Sequence, residues 1–522
     1  MRELTASGFS DLYGRLRQEF ADQVGEPSAP YGEANQNIRE EIVRCLWFGS
    51  HFSPDRLATD DGRRIEVVSP GWWNVEGGPD FVRAELLMEG AGRVVGDVEV
   101  HTLASSWHAH GHDRQPEYDE VVLHVVMWND APGREIRRHS GEVVPQLTLS
   151  SFVEEEIGEL VEIIDLEGEE TPRAPTQPAH TRYCGQALAD GKMEAAWLGR
   201  LLDCAGDHRL LSKADRMTAL LEKQPREQVL YESLAEALGY KSNRMAFLQL
   251  ANLLPMKVLR EIAPADAPPP DRQEVLEAAF YGVAGFLDGA LPEGADAETA
   301  DYARRLAAQW KKLPARLRDV RMSPGHWTFA GTRPVNYPTR RIAALACLYG
   351  RYLPQGLFGP LVQIVRGTQA QRRRRLDTAL RAALTGVFTQ LEHPYWSHRY
   401  TLGGRKLRQP HGLVGEQRAG SILTDVLVPL LIAHAGSEAD GELERRLHLL
   451  WSGLPGRPAN AVVRRMCHVL FPGGKDSGGL LRSARRQQGL HQLHNDFCAG
   501  QEGCGSCVLY LAHRAGRKLE EI

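Results

Sequence analysis

Three side chains whose chemistry suits metal-assisted hydrolysis stand close together in the sequence. Asp80 follows Pro79, and Glu99 and His101 come 19 and 21 positions after Asp80. Carboxylate oxygens bind Mg²⁺ or Mn²⁺, and a bound divalent cation polarises a phosphoryl group and lowers the pKa of water. Glu99 and His101 are two residues apart, so their side chains share one face of a regular strand. The pattern predicts a site in which Asp80 and Glu99 hold Mg²⁺ or Mn²⁺ beside His101.

Strand patterns surround these residues. Residues Phe81–Met88 alternate loosely and end at a glycine-rich turn, which predicts the first strand of a hairpin. Residues Arg93–His101 predict the second strand, with an acidic and imidazole-bearing face opposite a small and apolar one. Residues Glu120–Trp128 are almost all apolar and β-branched, which is typical of a central strand covered on both faces, and His124 is the polar residue within that run.

A helical pattern precedes the strands. Residues Asn37–Phe48 place apolar side chains at helical spacing, with Glu40 and Glu41 near the start. We expect one of these two carboxylates to approach the site from the helix and to take part in catalysis.

Histidines crowd the segment that follows the second strand, where the sequence reads Trp107-His-Ala-His-Gly-His-Asp113. We expect His110, His112 and His124 to surround the metal ligands as outer hydrogen-bonding partners. The run also supports a second interpretation, a His-based metallohydrolase. It resembles the H-x-H-x-D-H motif of metallo-β-lactamase-like hydrolases with the last two residues exchanged.

Taken together, Pro79-Asp80 and Glu99-Val100-His101 give P-D…E-x-H. This resembles the PD-(D/E)XK nuclease signature, with His101 where that superfamily usually has Lys. The resemblance implies a restriction-endonuclease-like mixed sheet in the α/β domain and a metal held by Asp80 and Glu99. It also implies that His101 orients the water or stabilises developing charge. The implied function is a divalent-metal-dependent nuclease that hydrolyses phosphodiester bonds of nucleic acid.

Two other interpretations stay open. Gly78-Pro79-Asp80 is also a pattern of a strand-entry turn, and Glu99 and His101 can lie on a solvated sheet face. A nuclease-like domain whose Lys has become His101 can also bind nucleic acid or a protein partner without cutting it.

Most of the chain from about residue 38 onward resembles a bacterial family designated domain of unknown function 2851. That resemblance implies an architecture but no established activity, so the function has to be argued from the site. Gln115 stands three positions after His112, where the resemblance leads us to expect an acidic residue. The matching segments are Asn74–Phe81, Gly96–His101, Trp107–His112, Tyr118, Leu123–Val126, Arg333–Ala346, Tyr395–Thr401 and the C-terminal cysteines.

Three C-terminal cysteines, Cys498, Cys504 and Cys507, have the spacing C-x5-C-x2-C. Glycines flank the middle cysteine and permit the tight backbone that lets several thiolates meet at one ion. A tetrahedral site needs a fourth ligand, for which Cys467, His494 or His491 is available. The pattern predicts zinc or an iron-sulfur cluster in a structural role. By analogy with nucleases that use a distant upstream cysteine, Cys45 is a further candidate.

Composition limits the class of protein. The 522 residues are 42% hydrophobic and 25% charged, with a net charge of −5, which indicates a globular chain of more than one domain. Contact with nucleic acid is therefore expected through local basic patches, namely Gln371–Leu376, Arg399–Arg408 and Arg482–Gln488. The apolar run Ser421–Ala435 is interrupted by Asp425 and Pro429, and no signal peptide is evident, so we expect no membrane contact and a cytoplasmic protein.

The helix, strand and linker patterns predict five parts. Residues 1–37 are an N-terminal extension, residues 38–166 the PD-(D/E)XK-like α/β domain, and residues 167–190 a proline-containing linker. Residues 191–480 carry repeated helical periodicity and predict a large all-α domain. Residues 481–522 hold a last helix and the cysteine-rich motif.

Overall fold

The structure is a computed structural model. It describes Tyr13, residues 40–48, 57–74 and 78–152, Cys184 and residues 194–498, the last range with gaps at 264, 290, 293, 330–331, 371–374 and 472–478. Most described residues divide into an α/β unit within residues 21–166 and a helical unit within residues 167–494, with Tyr13 assigned to the helical unit and residues 495–498 to the α/β unit. The predicted order, a mixed sheet followed by a large helical region, is confirmed.

The α/β unit is built on a six-stranded mixed sheet. The strand order is β1-β3-β4-β5-β6, and β2 also pairs with β3. Strands β1, β2 and β4 run antiparallel to β3, β5 runs parallel to β4, and β6 runs parallel to β5. The elements are α1 (Glu40–Phe48), β1 (Ile65–Ser69), β2 (Trp72–Trp73), β3 (Phe81–Met88), β4 (Gly92–Leu103), α2 (Ser106–Ala109), β5 (Val121–Trp128) and β6 (Gln146–Thr148).

The hairpin β3-β4 follows from its turn residues. Gly90 and Gly92 have φ angles of +81° and +72°, in the left-handed region that favours glycine. Their positions let the chain reverse immediately after Met88, so that Phe81 lies opposite Val98 on the neighbouring strand. Strand β3 has the bounds that the sequence predicts, and β4 continues two residues past the predicted end at His101.

Strand β4 changes character along its length. Val95 is 58% exposed, whereas the four consecutive residues Val98, Glu99, Val100 and His101 are all buried. Four buried residues in a row mean that both faces of the strand are covered at this point. The interpretation in which Glu99 and His101 lie on a solvated sheet face is therefore wrong.

A crossover connects β4 to the parallel strand β5, as parallel pairing requires. It contains the short helix α2 and two 3₁₀ turns, His112–Arg114 and Pro116–Tyr118. The crossover is anchored by Trp107, which is fully buried and donates a hydrogen bond from Nε1 to the Arg137 carbonyl oxygen over 3.0 Å. This anchoring fixes the histidines of the crossover next to β4.

The helical unit confirms the predicted all-α half. Its helices account for the helical periodicity of residues 191–480, and the last helix lies within the predicted segment 481–522. The bounds are α3 (Ala195–Lys223), α4 (Arg226–Leu238), α5 (Tyr240–Leu253), α6 (Met256–Ile262), α7 (Pro269–Val283), α8 (Ala297–Lys312), α9 (Pro338–Tyr352), α10 (Phe358–Gly367), α11 (Leu376–Thr389), α12 (Glu416–Ile422), α13 (Val428–Ser437), α14 (Gly441–Gly453), α15 (Ala461–Leu470) and α16 (Ala484–Leu493).

The most apolar helical run joins α12 and α13 through a π-helical segment, Leu423–Leu427. Among the described residues this run, Glu416–Ser437, is the helix long and apolar enough to cross a membrane, and 78% of its most apolar window is buried inside the structure. Asp425 interrupts it and forms ion pairs with Lys213 at 3.0 Å and with Arg457 at 2.6 Å. Such burial and pairing are typical of a core helix.

Gly96 allows β4 and β5 to approach closely. A Cβ atom added to Gly96 would meet the Val122 side chain and would lie 2.7 Å from the Glu120 carbonyl oxygen. Real Cβ atoms do not come this close to backbone oxygen, so glycine is needed here for steric reasons.

We expect Gly96→Ala to destabilise the protein by about 1–3 kcal/mol, because an added methyl group forces a well-packed strand pair apart. Denaturant unfolding of the full chain checks this. Val95→Ala on the same strand is the control and should change the free energy of unfolding by less than about 0.5 kcal/mol, because Val95 is exposed. Equal effects of the two substitutions would contradict the steric explanation.

Candidate functional site

Asp80 and Glu99 lie side by side where β3 begins. The Asp80 N–H donates a hydrogen bond to Glu99 Oε2 over 3.0 Å, and the Val100 N–H donates to Asp80 Oδ2 over 3.1 Å. These reciprocal bonds follow from the register that places Phe81 opposite Val98. Both carboxylates are buried, so the backbone donors replace water that the charged groups would otherwise bind.

Helix α1 brings a cation to this pair. Arg44 Nε lies 2.9 Å from Asp80 Oδ1, and the same guanidinium group pairs with Glu40 one helical turn earlier. Burial and the neighbouring Glu99 raise the pKa of Asp80 above its ordinary value, although the Arg44 guanidinium group opposes that shift. Glu40 thus reaches the site through Arg44, and the Glu41 side chain lies outside the described residues.

The second oxygen of Glu99 faces imidazole nitrogens. Glu99 Oε1 lies 3.4 Å from His101 Nε2 and 3.3 Å from His112 Nε2. His101 Nε2 in turn lies 3.3 Å from His112 Nε2 and 3.1 Å from His110 Nδ1. The donor atoms of the three histidines all lie within 4.8 Å of one another. We call Glu99, His101, His110 and His112 the histidine centre.

A row of side chains across the sheet sets the proton positions of His101. The Asp60 carboxylate accepts a hydrogen bond from Gln146 Nε2 over 2.7 Å, so the amide oxygen of Gln146 faces His124 Nδ1 at 3.0 Å. His124 therefore carries its proton on Nδ1 and accepts at Nε2, which lies 2.9 Å from His101 Nδ1. His101 must then donate from Nδ1, and its Nε2 faces Glu99 as a lone pair.

Burial determines the charge state along this row. Burial and the neighbouring His124 and His112 hold the pKa of His101 far below its ordinary value. Burial also lowers the pKa of His124 to about 3. Both rings are neutral at physiological pH, as metal-ligating and hydrogen-bond-relaying imidazoles need to be.

His112 is held on three sides. Its Nδ1 lies 3.0 Å from Gln115 Oε1, and its ring stacks on Tyr118 with 3.9 Å between ring centroids. Trp107 meets it edge-on at 5.4 Å. Burial disfavours a charge on His112, but its contacts with Glu99 and Gln115 outweigh that penalty and raise its pKa. Gln115, where an acidic residue was expected, thus serves as the hydrogen-bond acceptor for His112.

Gly111 brings His110 and His112 to the same point. Its φ of +76° lies in the left-handed region, and a Cβ atom there would approach Arg114 Nη2 to 3.3 Å. Helix α2 ends just before His110, and the following 3₁₀ turn begins at His112. The left-handed residue between them turns the chain sharply enough for both rings to reach β4.

The residues predicted for a site lie at three distances from the histidine centre. Glu99 and His101 lie in the histidine centre, together with His110 and His112, which the nuclease interpretation predicted as outer partners. Asp80 adjoins the centre through Glu99, but both of its oxygens face Arg44 or the Val100 N–H. His124 lies one hydrogen bond further out.

The predicted C-terminal metal site falls mostly outside the described residues. Cys504 and Cys507 are not described, and Cys498 ends a single π-helical turn that begins at His494. Cys467 lies in α15 and is partly buried. The prediction of zinc or an iron-sulfur cluster therefore stays a prediction, and so does the suggestion of Cys45, whose side chain is not described.

Many arginines of the predicted basic patches pair with carboxylates inside the helical unit. Arg399 is buried and contacts Asp296 and Glu298 at 2.5 and 2.8 Å. Arg485 and Arg486 contact the carboxylates of Asp207 and Asp203, respectively. Exposed basic residues in these two patches are Arg405, Lys406, Arg408 and Arg482. Residues 371–374 of the remaining patch are not described.

Sequence reasoning missed several residues that hold the site. Arg44 carried a signal, because it lies four positions after Glu40 in the predicted helix and so faces the same side. Asp60 and Gln146 carried none, because 86 positions separate two residues that meet only when the sheet is complete.

Fold and site together define a two-unit protein with a mixed-sheet α/β unit, which carries a carboxylate and histidine site of metal-ligand type, and a large helical unit. The chain belongs to the family described as "Protein of unknown function (DUF2851)", whose sequence profile matches residues 40–457. Comparison with curated proteins and with solved structures finds no match.

The contact between Arg44 and Asp80 can be tested by a double-mutant cycle. We expect Arg44→Met to destabilise the protein by about 1–3 kcal/mol, because it leaves two buried carboxylates without their cation. Asp80→Asn in the same chain should recover part of this loss, since it removes one of the two charges. Denaturant unfolding of the four proteins gives the coupling energy. Purely additive losses would show that the ion pair does not stabilise the site.

Proposed function

We propose that the α/β unit is a divalent-metal-dependent nuclease that hydrolyses phosphodiester bonds of nucleic acid. The observation that carries the proposal is the position of Glu99. One of its oxygens is fixed by the Asp80 backbone, and the other meets two imidazole nitrogens at 3.3 and 3.4 Å. Glu99 is a buried carboxylate beside ring nitrogens that can bind a metal, and a cation at this point would lie within the residues that resemble the nuclease signature.

The fold supports the same proposal. Helix α1 precedes the sheet, and the hairpin β3-β4 puts Pro79-Asp80 at the start of one strand and Glu99-Val100-His101 inside the next. This is the arrangement that the resemblance to PD-(D/E)XK nucleases implies. Strand β5 then completes a mixed sheet by running parallel to β4.

The donor atoms fit a divalent cation at Glu99 better than at Asp80. Asp80 Oδ1 already contacts Arg44 Nε, and Oδ2 accepts from the Val100 N–H. We assign Asp80 as a positioning residue, which holds Glu99 by its N–H, and Glu99 and His101 as ligands. When bound, the cation supplies Lewis acidity at the phosphoryl group and lowers the pKa of water.

Arg44 takes the electrostatic role that the superfamily gives to Lys. His101 stands at the Lys position but is neutral, so it cannot offset the negative charge of a phosphodiester. About a quarter of the surface of the Arg44 side chain is exposed, and its guanidinium group contacts the carboxylates of Glu40 and Asp80. A guanidinium group in this position can donate to phosphate oxygens as well as to Asp80.

One observation favours the non-cutting alternative. The contact between Arg44 and Asp80 occupies the carboxylate that the resemblance implies as a metal ligand. A unit degenerate at that carboxylate would bind nucleic acid or a protein partner without hydrolysis. The other alternative, a His-based metallohydrolase, uses the same histidine centre on a substrate without a phosphodiester.

The test is cleavage of labelled single-stranded and double-stranded DNA and of RNA by the full chain with Mg²⁺, Mn²⁺ or Zn²⁺. We expect Glu99→Gln to lower the rate by about 100-fold or more, the range for removing a group that acts directly in catalysis. Asp97→Asn is the matched control. It lies on the same strand and only accepts the Arg83 N–H over 3.0 Å, which asparagine can still do.

Binding of these nucleic acids without metal-dependent cleavage would replace the nuclease by the non-cutting module. Cleavage that Glu99→Gln leaves unchanged would point to a contaminating nuclease and would overturn the proposal. Equal losses in Glu99→Gln and Asp97→Asn would indicate a general effect on the strand.

A further inference from the structure

We propose that Glu99, His101, His110 and His112 form a tetrahedral binding site for zinc or a chemically similar transition-metal ion. The proposal replaces the Mg²⁺ or Mn²⁺ expected from the sequence by an ion that prefers nitrogen ligands. The catalytic role of the ion rests on the proposed nuclease function, whereas the binding of the ion does not depend on it.

The spacing of the donor atoms fits such an ion. Zinc with bonds of about 2.0–2.1 Å places its tetrahedral ligands about 3.3 Å from one another. Four of the six donor separations in the histidine centre are near this value. They are 3.4 and 3.3 Å from Glu99 Oε1 to His101 and His112, and 3.3 and 3.1 Å from His101 Nε2 to His112 and His110. By contrast, the contact between His101 and His124 is 2.9 Å, an ordinary hydrogen bond.

The positions of the protons leave nitrogen lone pairs directed at the same point. His101 donates from Nδ1 to His124, so its Nε2 is a lone pair, as the fixed orientation of Gln146 shows. His112 donates from Nδ1 to Gln115 Oε1, so its Nε2 in the neutral ring is also a lone pair. Together with Glu99 Oε1, three lone-pair atoms face each other at 3.3 to 3.4 Å. A metal ion bound between them would accept all three lone pairs.

The surroundings resemble those of a metal site. Metal-ligating histidines usually donate their other ring nitrogen to a fixed acceptor, which orients the ring and sets the tautomer. His101 has His124 as that acceptor, and His112 has Gln115. Tyr118 also stacks on the His112 ring. The rings are therefore held in the ligating orientation by contacts outside the centre.

Burial indicates how an ion would be reached. Glu99, His101 and His112 are at most 6% exposed, whereas His110 is exposed. An ion in the centre thus has a closed inner side and an open side at His110. Imidazole suits zinc, copper, iron and nickel, and a set with three imidazoles disfavours Mg²⁺, which takes oxygen ligands.

The experiment measures metal binding directly and needs no nucleic acid. The full chain carries Cys498→Ser, Cys504→Ser and Cys507→Ser to remove the thiols of the C-terminal motif. After treatment with a chelator, it is titrated with Zn²⁺ against a chromogenic competitor. Co²⁺ is then added as a spectroscopic substitute, because tetrahedral Co²⁺ has strong visible absorption bands. We expect one equivalent of Zn²⁺ and the tetrahedral Co²⁺ spectrum.

Two substitutions in the crossover distinguish a proposed ligand from a nearby histidine that lies outside the centre. His110→Ala removes a ligand at an exposed position, so it should leave the fold intact and weaken Zn²⁺ binding by at least about 10-fold. His108→Ala is the matched control, because His108 contacts Asp113 at 3.4 Å and lies outside the centre. It should bind Zn²⁺ as tightly as the parent, with the circular dichroism spectrum of all three proteins unchanged.

Absence of stoichiometric Zn²⁺ and Co²⁺ binding would overturn the proposal and leave a hydrogen-bonded imidazole cluster only. Unchanged binding in His110→Ala would overturn the assigned ligands. Failure of this proposal is distinct from failure of the proposed function. Nuclease activity with Mg²⁺ in a chain that binds no Zn²⁺ refutes the metal class alone, and tight Zn²⁺ binding in a chain that cleaves no nucleic acid refutes the nuclease alone.

Discussion

The burial of one carboxylate, that of Glu99, governs the arrangement of the α/β unit. An ionised carboxylate without water is unstable unless hydrogen-bond donors or positive charge replace the solvent. Here the Asp80 N–H serves one oxygen, and the other faces the imidazoles. Asp80 is itself buried and in turn requires the Val100 N–H and Arg44. The direct and indirect partners of Glu99 lie on different elements. Contacts that begin at this single acidic group therefore link α1, β3, β4 and the crossover.

The burial of Glu99 also explains why several residues of the crossover have specific structural roles. A parallel strand must be reached by a long connection, and this one passes directly over the carboxylate. Trp107 anchors it by burying its ring, and Gly111 supplies the one left-handed turn that brings two histidines to β4. Gly96 lets β5 approach closely enough for His124 to stand beside Glu99 in the register. The same few residues therefore determine both the packing and the polar contacts of the site.

Sequence patterns predicted what depends on local periodicity. Alternation with a period of two gave the bounds of β3 and the common face of Glu99 and His101, and the 3.6-residue period gave the longer helices. The partners of the site were harder to predict. Arg44 was within reach of a helical-spacing argument, but the row from Asp60 through Gln146 to His124 depends on the pairing of β5 with β6 and on a turn residue before β1. The distinction between an outer partner and a direct neighbour of Glu99, which changed for His112, depends on a backbone angle at Gly111.

The sequence separations within the site imply an order of assembly during folding. The contact between Asp80 and Glu99 needs only the closing of a short hairpin, which is a fast local event. The proton arrangement of His101 needs contacts from Asp60 to Gln146, which are 86 positions apart, and pairing over such a span is slow because a large loop must close first. A partly folded chain therefore presents the two acidic groups before the proton positions of His101 are fixed, because these depend on contacts that form only after distant segments have met.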